Sequence, residues 1–257
     1  MKQTVLITGA SSGIGLELAK VFARAGYNLV LTARSEGKLN HLKNKLEQFY
    51  GITAYVVIAD LAKKNAAKEI YEFTEKNKIN IDILINNAGF GDFGRYNTRD
   101  FKKHFEMVNV NILALMQLTH LYLKPMLRRR HGKIINIASV ASFMPGALMS
   151  TYYASKAFVL SFSEALSVEL LGSGVSIRTI HPGPVATDFK NRADWKQSKL
   201  LRQLKPATAK EIANFTYQNL NSRKTILIPG FANRVAAVLA KFAPRKFVKQ
   251  AVYLVQR

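Results

Sequence analysis

Seven short aliphatic and β-branched runs recur along the chain: TVLIT at 4–8, NLVLTA at 28–33, TAYVVIA at 53–59, IDILINN at 81–87, KIINIAS at 133–139, VSIRTIH at 175–181 and RKTILIP at 223–229. Between them lie stretches of helical spacing, two of them long, at about 99–128 and 151–171. Strand-like runs alternating with helical segments imply βαβ units and a parallel sheet. No Pro/Gly/Ser-rich linker divides the 257 residues and no solenoid repeat appears, so one doubly wound α/β domain is expected. A hydrophobic content of 48% is ample for its core.

Composition removes several chemistries. The chain has no cysteine, which excludes disulfides, thiolate zinc sites and thiol nucleophiles. His41, His104, His120, His131 and His181 are scattered without the HExxH-like spacing of a metal site, and no metal is expected. The apolar run Val5–Ile7 meets Gly9 at once, so no secretory core is read, and no stretch of about 18 apolar residues follows. A cytoplasmic protein, or one peripheral to a membrane, is expected. The formal charge of +22 attracts phosphates, anionic lipid surfaces and nucleic acid alike.

The segment TVLITGASSGIGLELAKVFARAGYNLVLTAR sets Gly9, Gly13 and Gly15 between a predicted strand and a predicted helix. Glycines there let the backbone turn tightly and approach a pyrophosphate, while the helix N-terminus offers free N–H groups to the anion. The spacing is GxxxGxG rather than the GxGxxG of the standard dinucleotide fingerprint. TGASSGIG, NNAG at 86–89, the serine of INIAS, YxxxK at 152–156 and HPGPVAT at 181–187 follow in order. Together these motifs resemble the short-chain dehydrogenase/reductase family over about the first 190 residues. The resemblance implies a Rossmann-type sheet with helices on both faces, a nicotinamide cofactor, and hydride transfer to or from a carbonyl or alcohol carbon.

It also implies cofactor contacts from Gly9, Ser11, Ser12, Gly13, Ile14 and Gly15, with Asp60 and Leu61 bordering the adenine and Asn87, Ala88 and Gly89 against the adenosine ribose. In dinucleotide folds an acid at the end of the second strand holds the ribose 2′-hydroxyl, whereas a nearby arginine accommodates a 2′-phosphate. Here that strand ends in Thr32-Ala33-Arg34, with no carboxylate to repel a phosphate and a guanidinium to bind it. NADPH/NADP+ is therefore the expected cofactor.

Carbonyl reduction needs an acid aimed at the oxygen as negative charge develops there. A tyrosine with an ordinary pKa of about 10 serves if an ammonium favours its phenolate. In TYYASK, Tyr152 precedes Lys156 by four residues and Tyr153 by three, and helical spacing allows either pair. The family pattern maps onto Tyr152 and Lys156, leaving Tyr153 to pack or to line the site. By the same resemblance Ser139, thirteen residues before Tyr152, bonds the substrate oxygen in preference to Ser142. Asn111 corresponds to the asparagine that holds a water linking the lysine to solvent, whereas Asn109 points to another helical face. Two departures are Ala114, where relatives commonly carry glycine, and Ala138, where many have a serine. In the implied mechanism NADPH gives hydride to a carbonyl carbon, Ser139 polarises the oxygen and Tyr152 protonates it. Lys156 lowers the tyrosine pKa and holds the nicotinamide ribose, and Pro182, Gly183 and Thr187 shape the loop against the nicotinamide end.

From residue 188 onward fifteen Lys/Arg face three acids, Asp188, Asp194 and Glu211. The first part of this region, about 188–206 with Trp195, Leu200 and Leu201, falls where the family carries a substrate lid. The catalytic domain is read as 1–230 and a basic amphipathic extension as 231–257. In the extension Phe231, Val235, Val238, Leu239 and Phe242 share one helical face, Pro244 breaks it, and Phe247, Val248, Ala251 and Val255 resume it. Such a segment lies on an anionic membrane, or packs on its own domain or on a second subunit.

The leading expectation is an NADPH-dependent carbonyl reductase acting on a lipid-like, steroid-like or acyl substrate, assembled as a dimer or tetramer. A non-catalytic NADPH-binding scaffold is the alternative. Nucleic acid is not an expected partner, since no binding motif accompanies the charge.

Overall fold

The computed structural model describes residues 2–186 and 206–256. Thr187 and, of the lid expected at about 188–206, residues 188–205 lie outside the described residues. Strands β1 (Thr4–Thr8), β2 (Asn28–Ala33), β3 (Ala54–Ile58), β4 (Ile83–Asn86), β5 (Gly132–Ile137) and β6 (Val175–Ile180) fall within, or one residue from, the runs read above. All pair in parallel, in the order β3-β2-β1-β4-β5-β6-β9, with β9 (Ile226–Leu227) as a two-residue edge strand. The expected doubly wound α/β sheet is what the chain forms.

Side chains alternate across each strand, and the two layers of helices read that alternation. In β1, Val5 and Ile7 pack with α1 (Gly13–Arg24), α2 (Glu36–Tyr50) and α7 (Ala209–Gln218). Leu6 packs on the other face with α3 (Ala66–Lys76) and α5 (Leu115–Arg129). Helix α1 places Leu18, Ala19, Phe22 and Ala23 on its sheet side, the i, i+4 spacing of a core stripe. Helix α7 opens with a capping box between Thr208 and Glu211, preceded by a small parallel ribbon of β7 (Val185–Ala186) and β8 (Ala207–Thr208).

The helix read over 99–128 is compound. Helix α4 (Phe101–Val108) runs into a π-helical segment at Asn109–Ala114 before α5 begins. Helix α6 (Ser150–Glu169) carries TYYASK in its first two turns. Two more helices, α8 (Phe231–Phe242) and α9 (Arg245–Gln256), follow the edge strand, and Pro244 separates them as the sequence requires.

Strand order reverses between β1 and β4, and a crevice at the carboxyl ends of the strands is where such sheets hold ligands. Gly9, Arg34, Asp60, Asn87 and Ser139 all follow strand ends at that edge.

Candidate active site

A cavity of about 820 Å3 lies along this edge and brings together every described residue proposed above as a site residue except Gly15 and Asn111. At one end the glycine turn is built by close backbone approach. Gly9 and Gly13 have φ of +68° and +56°, a region that penalises a side chain. A Cβ on Gly15 would stand 2.3 Å from Gly9 O and 2.6 Å from Asn87 Nδ2. Gly15 is therefore behind the turn, packing helix to strand, rather than on the cavity wall. Asn87 fastens the arrangement: its Nδ2 donates to Thr8 O at 2.8 Å, and its backbone N–H and that of Ala88 both donate to Thr8 Oγ1 at 2.9 Å.

Helix α1 begins at this turn with no acid in its first turn and no side-chain cap from Ser12, so its N-terminal N–H groups remain free for an anion. Arg34 is exposed at the cavity rim with Ser11 and Ser35 and has no ion-pair partner among the described residues. Asp60 accepts the Ala62 N–H on Oδ1 at 3.1 Å, which holds the turn carrying Leu61 on the cavity wall. The donor set, the close backbone and the absence of a carboxylate at Ala33–Arg34 fit a dinucleotide lying from Arg34 past α1 to Gly89.

At the other end Ser139 and Tyr152 line the cavity together, with the serine hydroxyl close enough to act on the phenol's pKa. Ser139 is held from three sides. The Ala141 N–H donates to its Oγ at 3.2 Å, its Oγ lies 3.5 Å from Pro182 O, and its carbonyl sits 3.0 Å from His181 Nδ1. His181 is fully buried, and burial pushes it down to about 4, so the ring is neutral and donates Nδ1–H to that carbonyl. Ser142 does not line the cavity, and its buried hydroxyl has no hydrogen-bond partner among the described residues. Geometry thus separates the two serines.

Burial pushes Tyr152 up to about 12, the nearby Ser139 hydroxyl opposing the rise, so the phenol is protonated at neutral pH. Lys156 donates to Ile137 O at 2.9 Å and stands 5.9 Å from the Tyr152 ring centroid. Burial holds it down to about 8. In the folded chain desolvation therefore outweighs the pull of the ammonium on Tyr152 that the sequence led us to expect. Asn111 is 1% exposed and sits in the π-helical segment, a device found often at functional sites. It accepts the Phe90 N–H at 3.1 Å and donates to Phe90 O and Ser155 Oγ, each at 3.0 Å. A Cβ on Gly89 would come within 3.0 Å of Asn111 Oδ1 and 3.4 Å of Lys156 Nζ. Asn109 instead bonds Ala62 O at 3.0 Å, on a different side of the helix.

A short chain dehydrogenase family model matches residues 3–198. The chain belongs to the short chain dehydrogenase family. An uncharacterized oxidoreductase of Staphylococcus saprophyticus is 33% identical, the match covering 84% of this chain and 91% of that protein. The mouse 17-beta-hydroxysteroid dehydrogenase type 3 is 35% identical over 77% of this chain but only 65% of its own length. Among solved structures, a short-chain dehydrogenase from Sphingobium yanoikuyae in complex with NADPH superposes with a TM-score of 0.83 at 32% identity, covering 92% of each chain.

Within this short-chain dehydrogenase the cavity has a wall that motif reading missed. Ala251, Val252, Val255 and Gln256 of α9 line it, as do Met144 and Met149. Gln256 is 1% exposed, and its Nε2 donates to Tyr153 Oη at 2.6 Å. Tyr153 lies over Gly146, whose added Cβ would meet the ring at 2.3 Å, and its ring stands edge-on to Tyr152 at 6.0 Å. No spacing rule joins two residues 103 positions apart, so only the fold could reveal this contact. At the loop Pro182–Gly183 the fit is as tight: a Cβ on Gly183 would stand 2.4 Å from Asn233 Oδ1 of α8. The loop over the cavity is anchored by Asp92, which burial would raise but Arg99, hydrogen-bonded and charged, holds below its ordinary value together with Lys103.

Proposed function

We propose that the chain is an NADPH-dependent carbonyl reductase acting on a bulky apolar ketone of lipid-like, steroid-like or acyl type. The observation that carries this reading is that Ser139, Tyr152 and Lys156 share one cavity with the glycine turn and Arg34. Bound there, the dinucleotide supplies hydride to a carbonyl carbon. The chain's own residues supply the rest. Tyr152, kept protonated by burial, is an acid for the carbonyl oxygen as charge develops on it. Ser139 offers the second hydroxyl, held in place through Ala141 and His181. Lys156 is charged at neutral pH and favours a developing phenolate on Tyr152. Asn111 orients residue 90 and α6 around them, and a water beside it would return the proton.

The apolar lining supports this substrate class: Met144, Met149 and the α9 residues Ala251, Val252 and Val255 leave little for a small polar substrate to bond. The hydroxysteroid dehydrogenase relative and the NADPH complex of the neighbouring structure support the same reading. Titration of the purified protein with NADPH and NADH tests the cofactor. Arg34→Glu should weaken NADPH by at least roughly 30-fold through the lost charge-assisted contact and added repulsion, leaving NADH little changed. Equal losses for the two would remove Arg34 as the phosphate reader.

A further inference from the structure

Helix α8 is folded with its bulky side out. Phe231, Val235, Val238, Leu239 and Phe242 fall within an arc of about 100° on the helical wheel, the width of a normal core stripe. Yet Phe231 is 81% exposed, Val238 54%, Leu239 62% and Phe242 78%. The side turned to the domain carries small groups: Ala237 is its buried residue, Ala236 touches the cavity, and Asn233 bonds Pro229 O against Gly183. On α9, Phe247 and Leu254 are likewise exposed at 63% and 69%, while Val248 and Val252 turn inward. The stripe read from the sequence as one continuing face points outward along α8, while its continuation on α9 divides, with Phe247 exposed and Val248 buried.

Singly exposed apolar residues need no explanation, but five on one helical stripe mark a surface made for a non-aqueous neighbour. Charge identifies the neighbour. Residues 231–257 contain six Lys/Arg and no acid, with Arg234 and Lys241 bordering the apolar arc and Arg245, Lys246 and Lys249 following on α9. A second copy docked on this stripe about a two-fold axis would set these cations against their own images. An anionic bilayer surface meets the apolar side chains and the cations together.

We propose that the outward face of α8, with Phe247 and Leu254 of α9, is a membrane-docking surface that binds bilayers carrying anionic headgroups. Among the described residues no helix is long and apolar enough to cross a membrane, so the contact is interfacial. The inner sides of the same two helices line the cavity, so docking sets that wall beside the lipid and gives an apolar substrate a route from the bilayer. This route rests on the proposed reductase activity; the docking does not.

The test is co-sedimentation of the full chain with phosphatidylcholine vesicles, with and without about 30 mol % phosphatidylglycerol, at low salt and at roughly 0.5 M salt. The wild type should pellet with the anionic vesicles, less so at high salt. A Phe231→Ser/Leu239→Ser/Phe242→Ser variant should bind them at least about tenfold more weakly. The same variant should keep NADPH binding and the reduction rate of a water-soluble ketone. Absence of wild-type binding, equal binding by the variant, or equal partition onto pure phosphatidylcholine would overturn the proposal. So would a wild-type dimer that this variant converts to monomer without any vesicle binding, which would assign the face to a second copy. Vesicle binding by a protein that reduces no ketone would refute the reductase reading and leave the docking standing.

Discussion

Lys156 should make the folded state pay an electrostatic penalty at neutral pH that a methionine would not, and the size of that penalty follows from its burial. The side chain is 6% exposed, its ammonium bonded to Ile137 O, and burial holds it at about 8 against the ordinary 10.5. A base whose folded pKa is depressed binds fewer protons folded than unfolded between those two values, so stability rises with pH across the window from about 8 to 10.5. At 1.36 kcal/mol per pH unit, the charged ammonium opposes folding by roughly 3 kcal/mol at pH 7 and by under about 1 kcal/mol at pH 10. Lys156→Met removes this dependence and also leaves the Ile137 carbonyl without its donor, a cost that does not vary with pH. Tyr152, raised to about 12, stays protonated throughout this range. Urea unfolding of both proteins at pH 7, 8.5 and 10 should therefore show the stability of Lys156→Met, relative to wild type, falling by roughly 2 to 3 kcal/mol from pH 7 to pH 10. A difference independent of pH would show that Lys156 is not desolvated, and would remove the physical basis for its coupling to Tyr152.

Two further predictions concern the two ends of the cavity. Gly15→Ala puts a Cβ 2.3 Å from Gly9 O, where neither backbone can yield freely, and should destabilise the chain by about 1–3 kcal/mol and weaken NADPH binding; unchanged unfolding and titration curves would show the turn to be looser than described. Tyr153→Phe or Gln256→Leu breaks the 2.6 Å bond between α6 and α9. Each should raise KM for a bulky ketone about 3- to 10-fold with kcat within about twofold, as loss of one hydrogen bond implies. A collapse of kcat instead would make Tyr153 part of the proton path.

The sheet was readable because its strands are apolar at nearly every position and each is followed by a chemically distinctive residue at the ligand-binding edge. The glycine turn was readable for a related reason: Gly9 and Gly13 occupy conformations few other residues tolerate. Tyr152 and Tyr153 were harder, because i, i+3 and i, i+4 both reach Lys156 on a helix. Separating them took features remote in sequence, the Ser139 hydroxyl beside Tyr152 and the seat of Tyr153 between Gly146 and Gln256. The π-helical segment at Asn109–Ala114 has no breaker to announce it, so NVNILAL read as plain helix. The stripe on α8 was visible as a pattern, but a pattern carries no direction. That it points outward follows from the small residues Gly183 and Ala237, which let the other side approach the domain.

Everything proposed about the chemistry rests on the Tyr152 phenol as the proton source, and the direct measurement is NADPH oxidation with a panel of apolar ketones by wild type and Tyr152→Phe. The wild type should turn over, and Tyr152→Phe should lower kcat by roughly 10²- to 10⁴-fold while NADPH affinity stays within about twofold. Turnover by Tyr152→Phe at the wild-type rate would contradict the assignment.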